Sequence, residues 1–299
     1  MTTSARVNLK ALGLLLGGLL FLGGALAPGA EAPPAGQGWN DQALSRLEAA
    51  APRLPSPLTF AVLGDSRDSA GAFDRLLAQM ARDPDLAFAI HLGDLVPVGT
   101  EADFQSFFRQ VRPRLQIPLL AVLGNHELDR GGGASLWDRL FGPRYYAFRV
   151  RDHCFILVND AIQDVDEPQL RWLTGELQRA QTAKTRLVFL HIPLFDPPGA
   201  LHHHTLPPAV GRKLADLFQQ YRVTHVFAGH IHGYFPGQWD GVPFTITGGG
   251  GVPLAGADPE HYFYHYLKVK LEGNKVRIKV QRLADVPPAG EGNAKTREK

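Results

Sequence analysis

Between Pro57 and Leu283 the chain alternates short apolar runs with stretches whose apolar residues recur at helical spacing. LTFAVLG, LAFAIHLG, IPLLAVLG, CFILVN, TRLVFLH and THVFAG are too short for helices and stop on Gly, Asn or His, so they predict strands. They are apolar on both faces, the pattern of a sheet covered by helices. YYAFRV, PFTITGGGG, YHYLKVKLEG and KVRIKVQRL predict four more, and the alternation of the last two predicts an antiparallel hairpin with one wet face. Between strands, Leu170, Leu173 and Leu177 share one helical face, and Val210, Leu214, Leu217, Phe218 and Tyr221 share another. The expectation is an α/β domain whose function collects beyond the carboxyl ends of its strands. No internal repeat is present.

The ends read differently. Residues 1–27 carry Arg6 and Lys10 ahead of ALGLLLGGLLFLGGALA, a charged stretch followed by an apolar run. Two readings stay open, a cleaved signal peptide or an N-terminal anchor, since about 17 residues is the short limit for a span. Both export the domain, to a periplasmic, extracellular or outward-facing membrane-anchored position. Any membrane attachment would run through this segment only. Residues 28–56 are rich in Pro, Ala and Gly and read as a linker with one short helix around DQALSRLEAAAPRL. Residues 57–283 form the working domain, and 284–299 have little to bury and read as a disordered tail.

Composition narrows the chemistry. Lys plus Arg number 31 against 29 Asp plus Glu, a net charge of +2 that gives no footprint for nucleic acid. One cysteine, Cys154 in HCFILVN, excludes an internal disulfide and a zinc–thiolate site. Any metal must be held by carboxylates and by some of the 12 histidines.

The strand ends supply such donors. AVLGD ends on Asp65, AIHLGD on Asp94, LAVLGNHE on Asn125, His126 and Glu127, LVFLHIP on His191, and HVFAGHIHG on His230 and His232. A single Gly-Asp after a strand is ordinarily a turn or a helix cap, and a lone histidine ordinarily a satisfied core residue. Separate explanations of that kind do not account for five donor sets at one end of a sheet. In this order the residues resemble the calcineurin-like metallophosphoesterases, over about Thr59 to Gly251. The resemblance implies two packed mixed β-sheets flanked by α-helices, and a phosphoric ester hydrolase with two divalent metal ions. It implies that Asp94 bridges both, that Asp65 and His232 serve one, and that Asn125, His191 and His230 serve the other. His126 would face the leaving-group oxygen. A metal-bound water would be the nucleophile, and manganese, iron or zinc all suit the mixed O and N donors. Glu127, beside His126, is read as a supporting carboxylate behind the ligands or as an exposed loop carboxylate.

The sequence departs from the family at Asp65-Ser66-Arg67, where Asp-x-His is common, and Pro97 stands where purple acid phosphatases place a tyrosine. A guanidinium has no lone pair to give, so the first subsite is expected to be weak or empty. Arg67 either binds phosphate oxygens or turns away to pair with Asp68 or another acid. Among other features, the His202–His204 tract reads as a solvated loop, and His91 and His225 as core or supporting residues. TITGGGGVPL is expected to pass close to the site. The aromatic groups of SLWDRLFGPRYYAF would either wall a pocket or pack the core. The favoured activity is hydrolysis of a small-molecule or lipid phosphomonoester. The alternatives are a phosphodiesterase acting on cyclic nucleotides or lipid headgroups, and a non-catalytic binding protein with a decayed first subsite.

Overall fold

In the computed structural model, residues 38–69, 71–128, 133–198, 200 and 204–283 are described. The expected leader and tail lie outside these residues. Among the described residues no helix is long and apolar enough to cross a membrane.

Eleven strands form two sheets among the described residues. The first holds β1 (Leu58–Leu63), β2 (Ala89–His91), β3 (Leu119–Ala121), β10 (His265–Glu272) and β11 (Lys275–Arg282), in the order β11-β10-β1-β2-β3. The second holds β4 (Tyr146–Val150), β5 (His153–Leu157), β6 (Thr185–Phe189), β7 (His225–Ala228), β8 (Tyr234–Trp239) and β9 (Val242–Thr247), in the order β4-β5-β6-β7-β9-β8. β1–β2–β3 and β5–β6–β7–β9 run parallel. The remaining pairs are antiparallel, including the predicted β10–β11 hairpin, so both sheets are mixed.

The two apolar faces of the early strands now have separate partners. Phe60, Val62, Phe88, Ile90, Phe155, Phe189 and Phe227 fill the space between the sheets. Ala61, Leu63, Ala89 and Ala121, one residue out of step, pack outward under α2 (Ala72–Ala81), α3 (Glu101–Val111) and α4 (Gly133–Leu140). On the second sheet, Ile156, Val188 and Val226 pack under α5 (Glu167–Arg179) and α6 (Pro208–Gln220), through Leu173, Leu177, Leu214 and Phe218. The result is a four-layer α/β/β/α sandwich.

Two elements differ from the sequence expectation. β8 was not foreseen because Pro236 and Gly237 interrupt it; it lies at a sheet edge, where a missing N–H is tolerated. The helix expected within the linker is α1 (Trp39–Ala50), and it is docked on the domain. Asn40 donates to Ala121 O (3.1 Å) and accepts from Ala121 N (2.8 Å), while Trp39 Nε1 donates to Leu119 O (2.7 Å). With Ala43 and Leu47 buried beneath it, α1 closes the β3 edge.

Candidate metal centre

Because β1, β2 and β3 run parallel, Asp65, Asp94 and Asn125 leave the first sheet in the same direction. His191 follows β6, and His230 and His232 follow β7 in the second sheet. Backbone bonds hold the strand ends together within each sheet: Asp65 N donates to Gly93 O (3.0 Å) in the first and Gly229 N to His191 O (2.9 Å) in the second. Asp65 accepts from His230 N at 2.9 Å, across 165 residues of chain. Asp65, Asp94 and His230 all adopt the left-handed conformation (φ 63°, 55° and 65°), a region that costs energy for residues with a Cβ and that clusters at functional sites. Gly93 and Gly124 permit the approach. A Cβ on Gly93 would sit 2.8 Å from His191 Nδ1, and one on Gly124 2.4 Å from Asp94 N.

Six of the expected ligands meet here. Asp94, His191 and His230 present donor atoms within 4.8 Å of one another, as do Asp65, Asp94 and His232, so Asp94 is common to both groups. Around His191 Nε2 stand Asn125 Oδ1 (2.9 Å), His230 Nδ1 (3.1 Å) and Asp94 Oδ1 (3.3 Å). In the other group His232 Nε2 lies 3.8 Å from Asp65 Oδ1. The outer ring nitrogens are fixed by carbonyls: His191 Nδ1 by Leu92 O (2.7 Å) and His232 Nδ1 by Pro253 O (3.1 Å). That leaves each Nε2 lone pair turned toward the other donors. His126 is held in the same way by Pro97 O (2.8 Å), with Nε2 3.9 Å from Asp94 Oδ2.

The electrostatics fit divalent cations. Burial holds His230 down at about pKa 3, helped by His191, and His232 at about 4, helped by Arg67. Both rings are therefore neutral and have lone pairs to give. Burial, and then the charge of Asp94, pushes Asp65 well above the ordinary carboxylate range. Burial also works to raise Asp94, but His191 and His126 outweigh it and hold that carboxyl low. Buried carboxylates facing neutral imidazoles form a set short of positive charge, and bound cations invert this balance.

The supporting residues are less as expected. Glu127 is fully buried, a supporting carboxylate behind the ligands rather than an exposed loop one. It accepts from Gly124 N (2.7 Å), Asp94 N (2.9 Å), Leu95 N (2.8 Å) and Val96 N (3.2 Å), bracing the Asp94 turn against the Asn125 loop. Burial and the nearby Asp94 push it up to about 8. Asp160, which sequence reasoning missed, accepts from His191 N and Ile192 N, both at 2.9 Å. CFILVND ends on a carboxylate like its neighbours, and that was the available signal.

His91 lies behind the site against Ser66 Oγ (2.9 Å), and His225 against Thr245 Oγ1 (3.0 Å). The glycine run passes close, as expected, Gly250 N donating to Gly64 O (2.8 Å) and Val252 N to Asp65 O (2.9 Å). Trp137 and Phe141 stack at 4.1 Å inside the core. The aromatic group at the cavity is instead Tyr262. That cavity holds about 440 Å³ and is also lined by Arg67, Asp94, Asn125, His126, His204 and His232. His204 was read as a solvated loop residue; its ring centroid is 5.7 Å from that of His230. His202 and His203 lie outside the described residues. Arg67 pairs with two acids, Nη1 with Asp68 Oδ2 (2.7 Å) and Nε with Asp94 Oδ2 (3.3 Å), yet it still lines the cavity rather than turning away from it.

The calcineurin-like phosphoesterase family model matches residues 58–234. A probable cyclic nucleotide phosphodiesterase of Rhodopseudomonas palustris is 28% identical over 197 residues, covering 59% of this chain and 69% of its own. The serine/threonine-protein phosphatase CPPED1 of Danio rerio is 27% identical over 191 residues, covering 57% and 62%. Purple acid phosphatase PPD1 from yellow lupin (Lupinus luteus) seeds superposes with a TM-score of 0.63 at 18% identity, over 76% of this chain and 52% of that one. The last likeness is one of fold. The chain thus spans only part of the length of each relative.

Proposed function

The chain belongs to the calcineurin-like phosphoesterase family, and from that premise we propose that it hydrolyses phosphate esters, monoesters in preference to diesters, at a centre of two divalent cations outside the cytoplasm. One observation carries the reading: two donor groups share Asp94 at the wall of a cavity into which His126 also faces. Asn125, His191 and His230 would hold one cation, Asp65 and His232 the other, with Asp94 between them. Such a pair gathers the charge of the phosphoryl oxygens and brings the pKa of water close to neutrality for in-line attack.

The chain supplies the rest. Glu127 and Asp160 hold the ligand loops in place. His126, its Nδ1 occupied by Pro97 O, presents Nε2 to the cavity beside Asp94. As the P–O bond breaks, the leaving oxygen takes the proton from His126 Nε2 and departs as a neutral alcohol. The attacking water loses its proton to solvent, His126 Nε2 regains one from solvent, and inorganic phosphate remains. The charged and apolar N-terminal run supports export; cell fractionation of the full chain checks it, and recovery in the cytosol would reject it.

With manganese added, hydrolysis of para-nitrophenyl phosphate is expected to exceed that of its bis ester. Asp94→Asn should abolish both, and His126→Ala should lower kcat on the order of 10²–10⁴-fold. Faster turnover of the bis ester would favour diesters, the class named for the Rhodopseudomonas palustris relative. An inactive wild-type protein would support a binding role.

A further inference from the structure

The two donor groups are unequal. Four ligand atoms gather around His191 Nε2 if that nitrogen is included: Asp94 Oδ1, Asn125 Oδ1, His230 Nδ1 and Nε2 itself. The other group has three residues, Asp65, Asp94 and His232, and a cation for a neighbour. Arg67 Nε lies 3.3 Å from Asp94 Oδ2, the oxygen not engaged by His191. Its Nη1 is fixed by Asp68 at 2.7 Å. Among the described residues its Nη2 has no hydrogen-bond partner. The side chain is 17% exposed. It lines the 440 Å³ cavity of the site and also a second cavity of about 510 Å³. The guanidinium is always charged and cannot be a ligand. It is therefore a permanent positive charge held against the shared carboxylate, with the Nη2 donors left over on a side chain that lines both cavities.

We infer that Arg67 sets the specificity of this site, replacing part of the charge of a full second cation subsite and binding a non-bridging oxygen of a phosphate monoester dianion. The inference rests on the phosphoesterase reading above and names the substrate class. A monoester offers three non-bridging oxygens and two negative charges; a diester offers two oxygens and one charge. With two cations clamping the ester, a third positive group has an oxygen of its own only on the monoester. Sharing Asp94 Oδ2 with a guanidinium also weakens the Asp65–Asp94–His232 subsite toward its ion.

Manganese-loaded protein titrated calorimetrically with inorganic phosphate and with dimethyl phosphate tests this without requiring turnover. Arg67→Ala should weaken phosphate binding on the order of tenfold or more, the scale of a charge-assisted bond. Dimethyl phosphate binding should change less than about twofold on the same scale. Arg67→Lys, which keeps the charge and loses the fork, should fall between and carries the comparison if the alanine variant loses its metal. Equal losses for both anions, or none, overturn the assignment. Metal content after dialysis gives the second readout. Arg67→His, which adds a donor, should retain an ion that the wild type loses; wild-type protein keeping both ions equally well refutes the weakened subsite. Wild-type protein that hydrolyses no ester and binds neither anion refutes the phosphoesterase reading and the inference together. Active wild type with an indifferent Arg67→Ala variant refutes the role of Arg67 alone.

Discussion

Glu127 shows how much of the centre depends on one buried side chain that touches no expected ligand atom. Oε1 accepts from Leu95 N and Val96 N, and Oε2 from Asp94 N and Gly124 N. A glutamine has one acceptor oxygen, so either flip sets an NH₂ group against two backbone donors. Glu127→Gln is therefore expected to disturb the Asp94 turn and the Asn125 loop together. Manganese affinity should fall about 10–100-fold, the usual effect of losing a group that orients ligands. Calorimetric titration of the purified variant measures this; unchanged affinity would mean the turn holds without the carboxylate. The neighbouring candidates were legible because strand, glycine and donor are adjacent in sequence. Glu127 could be found in the sequence but not understood, since its four partners come from two separate segments. Asp160 was overlooked because it binds backbone N–H groups, which leave no mark on composition.

At the level of elements, legibility follows where the burying partner lies. Strands such as β1 and β6 bury both faces, so their apolar runs announce them. β8 is an edge strand whose Pro236 and Gly237 deny it any local strand signal. α1 is the clearest difference between composition and role. Its flanks are rich in Pro and Ala, and among its buried residues only Ala43 and Leu47 are apolar. What ties it down is the pair of bonds between Asn40 and the β3 backbone at Ala121, which no hydrophobic pattern records. Asn40→Ala should leave Ala121 N on β3 without its partner, at a cost of about 1–3 kcal/mol where water cannot replace the lost bond, while Ala121 O keeps the Tyr146 hydroxyl at 3.3 Å. Urea unfolding should show the midpoint lowered. A chain beginning at Pro57 should do worse, exposing the β3 edge and self-associating, whereas one beginning at Gln37 should remain monodisperse. Light scattering on the two truncations distinguishes a docked helix from a dispensable linker.

The whole molecule carries an unusual load of buried neutral imidazole. Outside the ligand set, burial alone holds His225 down at about 3. His265 is held at about 4, burial outweighing its bond to Phe263 O, and His91 at about 3, burial outweighing the attraction of Asp94. Each rests against a hydroxyl: Thr245, Thr247 and Ser66 respectively. A histidine whose folded pKa is depressed stabilises the fold above its unfolded value of about 6.5 and loses that contribution as pH falls toward the folded value. The buried carboxylates act in the opposite sense. Glu127, raised by burial and Asp94 to about 8, and Asp160, raised by burial to about 7, bind a proton in the fold before the unfolded chain does, so their cost shrinks as pH falls. The net slope mixes these terms, but a single substitution isolates one of them. His225 is remote from the donor cluster, and His225→Gln keeps a side-chain amide within reach of Thr245 while removing the titration. Between pH 6.5 and 5, metal-free wild-type protein should lose about 1 kcal/mol per pH unit more than this variant, the slope steepening toward about 1.4 at the acid end. Paired urea melts across that window measure the difference. Parallel slopes would mean that His225 is protonated in the folded protein, and that the second sheet opens around it in mild acid.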